Sequence, residues 1–365
     1  MRLLRLYRAL VLWMFLTSSL LAAVRPSFSL DDSSWTATHI VVAITTEPAD
    51  AFEVVESWKG DLRVGDRVFI PELRPSPSDV PVSQYSDPFD PHLGTTNFEG
   101  VPVQPLGSSV ILFLKKAKQA NGGSSHIEPS WEPTNLMNSM PASVIWVDGS
   151  QLYCNMQPWN PGPSYPVKCG TSLEKARDRV SEIEDIQQKV LAIDAISDPR
   201  ERAEELGPYA KSGVVSIYRF ALEQLGSIGP PAVPALLNLL DDPTQIGRTL
   251  LFMDALVTAG GDSVGPEIDA RLKGELSFWR RTGPTLNIDW QRQDGMIGDR
   301  RMSDYWGRLY YLLWGIERSH YYSGAAPTIS QIRDLWISLS ALSVGSEPNQ
   351  IVEECENLIA KSGVK

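Results

Sequence analysis

The sequence predicts an α+β chain of two domains, a small N-terminal β barrel followed by an all-α helical repeat array. Proline, glycine and short β-branched runs dominate up to about Gly170, whereas from Thr171 onward apolar residues recur at spacings of three and four. In addition, LGSIGPPAVPALLNLLD, from Leu225, returns as LVTAGGDSVGPEIDARL from Leu256, an offset of 31 residues. The chain has 365 residues, more than one hydrophobic core usually holds, so the change of character reads as a domain boundary. The expected division is 1–29, 30–170 and 171–365.

Residues 1–29 read as an export signal. Arg2, Arg5 and Arg8 precede an apolar run from Ala9 to Val24 that is shorter than the roughly 20 residues of a spanning helix. Ser27 and Ser29 supply the small residues a cleavage site after Ser29 requires. The mature chain is then secreted or periplasmic, with no membrane span left; an uncleaved segment would instead tether it to a membrane. Losing four arginines and no acids moves the formal charge from −11 to −15. A chain of that charge without a Lys/Arg block is unsuited to phosphate backbones, which argues against a nucleic-acid partner.

Strands are expected at Trp35–Thr45, Phe52–Trp58, Arg67–Ile70, Val110–Leu114, Ser143–Val147 and Gln151–Met156, each rich in β-branched or aromatic residues. Gly60, Asp61, Gly65 and Asp66 supply the turn chemistry of a hairpin, and Asp148-Gly149 supplies another. The proline-rich stretch from Arg74 to Val103 and the segment Asn121–Ser125 read as loops. ESWKGDLRVGDRVFIPE together with VILFLKK resembles the netrin-like or OB-like barrels of exported bacterial proteins, over Trp35–Gly170. That resemblance implies a barrel with loops at an open mouth. Netrin-like metalloprotease inhibitors act through an N-terminal cysteine, which this chain lacks.

Thr171–Ala195 reads as one amphipathic helix, with Leu173, Ala176, Val180, Ile183, Ile186, Val190 and Ile193 on its apolar stripe and Ser172 as its cap. Val214–Leu225 forms the next helix. Gly226 and Gly229 end it, and Pro230 and Pro231 start its successor, because a first-turn proline lacks only an N–H that has no intrahelical partner anyway. LGSIGPPAVPALLNLLDDP resembles a HEAT repeat of the short bacterial type, which implies stacked helix pairs that bury each other's apolar faces. Met302–Glu317, Ile329–Leu342 and Gln350–Ala360 return to helical spacing and are expected to cap the array.

No catalytic or metal motif is present. His39, His92, His126 and His320 belong to no His/Cys cluster, and Asp294, Asp299 and Asp304 lack the alternate-position spacing of a calcium loop. Asp241-Asp242 reads as an inter-repeat turn and cap before it reads as a metal site. Cys355, set among glutamates, is disfavoured as a thiolate. No cofactor is implied. Cys154 and Cys169, separated by a Pro/Gly-rich stretch, are the expected disulfide of an exported chain. Trp306, Tyr310, Tyr321 and Tyr322 form the candidate interaction surface, against the plainer reading of a helix packed nearly all round.

Function reads accordingly as an exported binding or scaffold protein, not an enzyme, with a protein partner. Two alternatives stay open: a protease inhibitor or ligand sensor acting through the barrel, and a secreted hydrolase with an unrecognised carboxylate site.

Overall fold

The structure is a computed structural model that describes residues 29–48, 50–70, 106–116, 131–134, 144–156, 165–285, 296–297, 300–340 and 347–363. The expected signal peptide and the Arg74–Val103 and Asn121–Ser125 loops lie outside them, apart from Ser29. The chain divides into two compact units, Met1–Gln188 and Lys189–Lys365. Gly170, where the boundary was expected, lies within a strand.

The first unit opens with helix α1 (Leu30–Thr36), where Trp35–Ala37 was expected to be extended. Ser29 starts it: its hydroxyl accepts from the Asp32 N–H, and Asp31 and Asp32 stand in the first turn, where carboxylates complement the helix dipole. Strands follow at β1 (His39–Thr46), β2 (Ala51–Lys59), β3 (Arg67–Phe69), β4 (Ser109–Lys116), β5 (Trp131–Pro133), β6 (Val144–Asp148), β7 (Gln151–Met156) and β8 (Tyr165–Ser172).

They form one antiparallel sheet in the order β3-β2-β1-β4-β6-β7-β8, with β5 added to β4. The expected barrel is corrected to an open sheet. Closure would require β3 to pair with β8, but β3 has only three residues before Pro71, and β8 runs straight into helix α2 (Leu173–Ile193).

Both sheet faces are buried, which explains why HIVVAI and VILFL read as continuous apolar runs instead of alternating ones. Ile40, Val42, Ile111, Phe113 and Ile145 point to one face and meet Ala176 and Val180 of α2, with Leu30 of α1 alongside. Val41, Ala43, Val110, Leu112 and Leu114 point to the other and pack with Phe52, Val54, Trp131 and Trp146. Burying each large side chain contributes about 1.5–3 kcal/mol. The bidentate pair of Arg179 with Asp31, both bonds at 2.7 Å, ties α2 to α1. Lys59 adds a second tie, its Nζ donating to the Ser34 carbonyl and to Gln187 Oε1.

The second unit holds α3 (Pro199–Ala210), α4 (Val215–Ile228), α5 (Val233–Asp241), α6 (Thr249–Gly260), α7 (Gly265–Thr282), α8 (Met302–Arg318), α9 (Tyr322–Ser340) and α10 (Glu347–Ser362), with a two-stranded ribbon at β9 (Met296–Ile297) and β10 (Arg300–Arg301). The 31-residue offset is visible in space. A 3₁₀ turn at Pro230–Ala232 separates α4 from α5, and another at Gly261–Val264 separates α6 from α7. Pro230 and Pro231 therefore form the turn, and the helix proper begins at Val233.

Helices stack on their second neighbours: α4 on α6, α6 on α8, and α7 on α9. Small residues set these approaches, since a β-carbon on Gly226 would press on Thr258 and one on Gly315 would collide with Met253. Trp279 of α7 meets Trp336 of α9 edge to face at 4.8 Å, both fully buried.

Candidate functional site

The aromatic stripe of α8 follows from helical periodicity. Trp306, Tyr310 and Trp314 recur at i, i+4 and i+8 and so share one face, while Leu309, Leu312, Leu313 and Ile316 fill the buried side. Trp306 and Tyr310 stack in parallel, 5.6 Å between centroids with their planes 6° apart. Tyr311 meets Tyr310 edge to face at 5.7 Å, and the Arg318 guanidinium lies over Trp314 at 5.3 Å. All four aromatics are half-buried.

Acids close one end of this stripe. Lys361 Nζ donates to Glu317 Oε1 at 2.5 Å. Burial, then the neighbouring Glu317, pushes the Glu354 carboxyl above its ordinary range. Burial, then Glu354, raises the Tyr310 phenol in the same way. The result is a row of aromatic faces leading to two carboxylates, of which Glu317 is paired with Lys361.

Tyr321 and Tyr322 stand apart from that row, at the corner between α8 and α9. The Tyr321 ring fills space left by Gly265 and Gly324, where a β-carbon would overlap it. Tyr322 donates its hydroxyl to the Glu317 carbonyl at 3.1 Å. The four aromatic candidates thus separate into a stacked pair and a corner pair.

The two aspartates serve the helix junctions. Asp242 accepts from the Thr244 N–H at 2.9 Å and from Lys211 Nζ at 2.7 Å, and with the Lys211 hydrogen bond as the largest cause its carboxyl falls to about 2. Asp241 receives Nε of Arg271 at 2.8 Å. Nearby, Arg308 holds the buried Glu275 carboxylate at 2.8 Å and the Leu240 carbonyl at 2.8 Å. Among the described residues no group of three or more His, Cys, Asp or Glu side chains stands ready for a metal ion.

Cys154 lies opposite Val167 in the pairing of β7 with β8, so Cys169 is two residues along the adjacent strand. Cys355 is a buried free thiol, pushed up to about 12 by burial and then by Glu354. His92, His126, Asp294 and Asp299 lie outside the described residues.

No family model matches the chain, and neither a curated protein nor a solved structure does.

One arrangement escaped sequence reasoning. His39, expected as a strand residue among apolars, has both ring nitrogens engaged: Nε2 with Asp61 Oδ1 at 2.5 Å and Nδ1 with Thr38 Oγ1 at 2.9 Å. Its ring is buried and meets Trp131 edge-on at 4.6 Å. Thr38-His39 is adjacent in sequence, but Asp61 arrives only through the pairing of β1 with β2, so no local motif marks it.

Proposed function

We propose that this chain is an exported binding or scaffold protein whose helical unit, built from HEAT-like repeats, receives a protein partner on the aromatic stripe of α8. The observation that carries the reading is the half-exposed Trp306–Tyr310 stack beside Glu317 and Glu354. Paired aromatics give a rigid contact area at small entropic cost, which is why Trp and Tyr concentrate at energetic centres of interfaces. The acidic end and the formal charge of −11 favour a partner segment that is apolar and basic. Export, and with it a Cys154–Cys169 bridge, belongs to the same reading.

Affinity capture with the full chain from the envelope of the producing cell tests it. Crosslinked partner should be recovered with the unaltered protein and lost with Trp306→Ala/Tyr310→Ala, provided the variant keeps its helical circular dichroism. Equal recovery from both proteins would remove the α8 stripe as the interface.

A further inference from the structure

We propose that His39 is a pH-sensitive clasp of the sheet unit, independent of the binding surface on α8: as the imidazolium it holds turn 60–66 against the start of β1, and it loosens that turn when it loses a proton. The one hydroxyl proton of Thr38 is donated to the Leu114 carbonyl, 3.2 Å away, so Oγ1 meets His39 Nδ1, at 2.9 Å, with a lone pair. On the other side Nε2 lies 2.5 Å from Asp61 Oδ1, and an ionised carboxylate only accepts hydrogen bonds. The His39 hydrogen bond, followed by Lys116, holds the Asp61 carboxyl below its ordinary range and therefore ionised. Both ring nitrogens thus face acceptors, and the imidazolium is the form that carries a proton on each.

A buried cation is tolerated where it is paired and hydrogen-bonded, and the fold supplies both. The His39 side chain is 8% exposed and that of Asp61 78%, so the carboxylate meets the ring from the solvent side. Trp131 fixes one edge of the imidazole, and Gly60 leaves room for it, since a β-carbon there would overlap the ring. Among the described residues the charged groups facing this pair are Asp61 itself and Lys116 of β4, whose Nζ lies 3.8 Å from Asp61 Oδ2 and over the neutral Trp131 ring of β5. Lys59, at the end of β2, carries its ammonium to Ser34 and Gln187 instead.

The turn closes on itself through the Arg63 N–H, which donates to Asp66 Oδ2 at 2.7 Å, and on β2 through the Gly65 N–H, which donates to the Val54 carbonyl at 2.8 Å. The His39–Asp61 pair adds a tie to β1. A neutral ring keeps its remaining proton on Nε2, toward the Asp61 charge, and the Thr38 hydroxyl turns from Leu114 to Nδ1. The tie then falls from an ion pair to a hydrogen bond with a neutral donor, and charge-assisted bonds are roughly twice as strong as neutral ones. It is therefore complete where the ring holds both protons and weakens as pH rises through the histidine range. Val64, 71% exposed in this turn, is the apolar group whose presentation the clasp controls.

The test is hydrogen exchange of the full chain at about pH 5 and about pH 9, on either side of the histidine range, read as protection relative to an unstructured chain. Protection of turn 60–66 should fall about fivefold from the lower pH to the higher. Asp61→Ala, a change at an exposed side chain, should show the lower protection at both, while the amides of β1 and β4 keep theirs. Ring-nitrogen spectra of the isotope-labelled chain at the lower pH should show His39 protonated on both nitrogens. Equal protection of the wild-type turn at the two pH values, the same fall in Asp61→Ala, or a His39 ring with a single proton at the lower pH overturns the proposal.

Discussion

Gly60 and His39 are complementary in shape: the imidazole of His39 occupies the space a β-carbon on Gly60 would need. Gly60 also has φ +92, a conformation side chains rarely adopt. Gly60→Ala should therefore destabilise the sheet unit by roughly 2–4 kcal/mol, backbone strain and overlap acting together. A urea midpoint unchanged within error would show that the ring moves aside freely.

Strain is removable at His320, which sits at φ +51 just past the end of α8. A residue in the left-handed region after a helix is usually glycine. His320→Gly should raise stability by about 0.5–1 kcal/mol, read as a higher thermal midpoint. A fall would mean that the 3.0 Å contact from His320 Nδ1 to Asp262 outweighs the strain.

Asp242 gives the helical unit an acid-sensitive element. Its folded value of about 2 lies below the ordinary 3.8, so the unfolded chain binds more protons in that interval. The stabilisation is complete above about pH 4 and is lost as pH falls toward 2. Asp242→Asn can still accept from the Thr244 N–H but carries no charge toward Lys211, so its urea midpoint should fall less steeply across that interval. Parallel curves for the two proteins would remove Asp242 as the cause.

Cys154 and Cys169, on neighbouring strands, are expected to be bridged, and Cys355 to be free. Thiol titration of denatured, unreduced protein should find one thiol, and three would exclude the bridge. In the native protein the burial of Cys355 should make even that thiol slow to react. Closing a loop of this length contributes about 3 kcal/mol, so reduction should lower stability by a similar amount.

Much of the helical unit was legible because its causes are local. The turn at Gly229-Pro230-Pro231 and its echo at Gly260-Gly261 recur in sequence and in space. Helix α3 was missed because PRERAEELGPYA has few apolar residues, although Asp198 caps it and Pro199 opens it. Trp35 was read into a strand because its β-branched neighbours outweighed the capping serine at position 29. Strand β8 went unseen because Pro166 and Gly170 mask its character. Closure of the sheet depends on which edges meet, which no single segment encodes, and the contact of His39 with Asp61 depends on the register that brings Asp61 to it.

Hydrogen exchange of the full chain, free and bound to the captured partner, tests the central claim most directly. The account predicts slowed exchange in α8 around Trp306–Trp314 and in α10 near Glu354, with strands β1 to β8 unchanged. Protection confined to the sheet unit, with α8 exchanging as in the free protein, would contradict it.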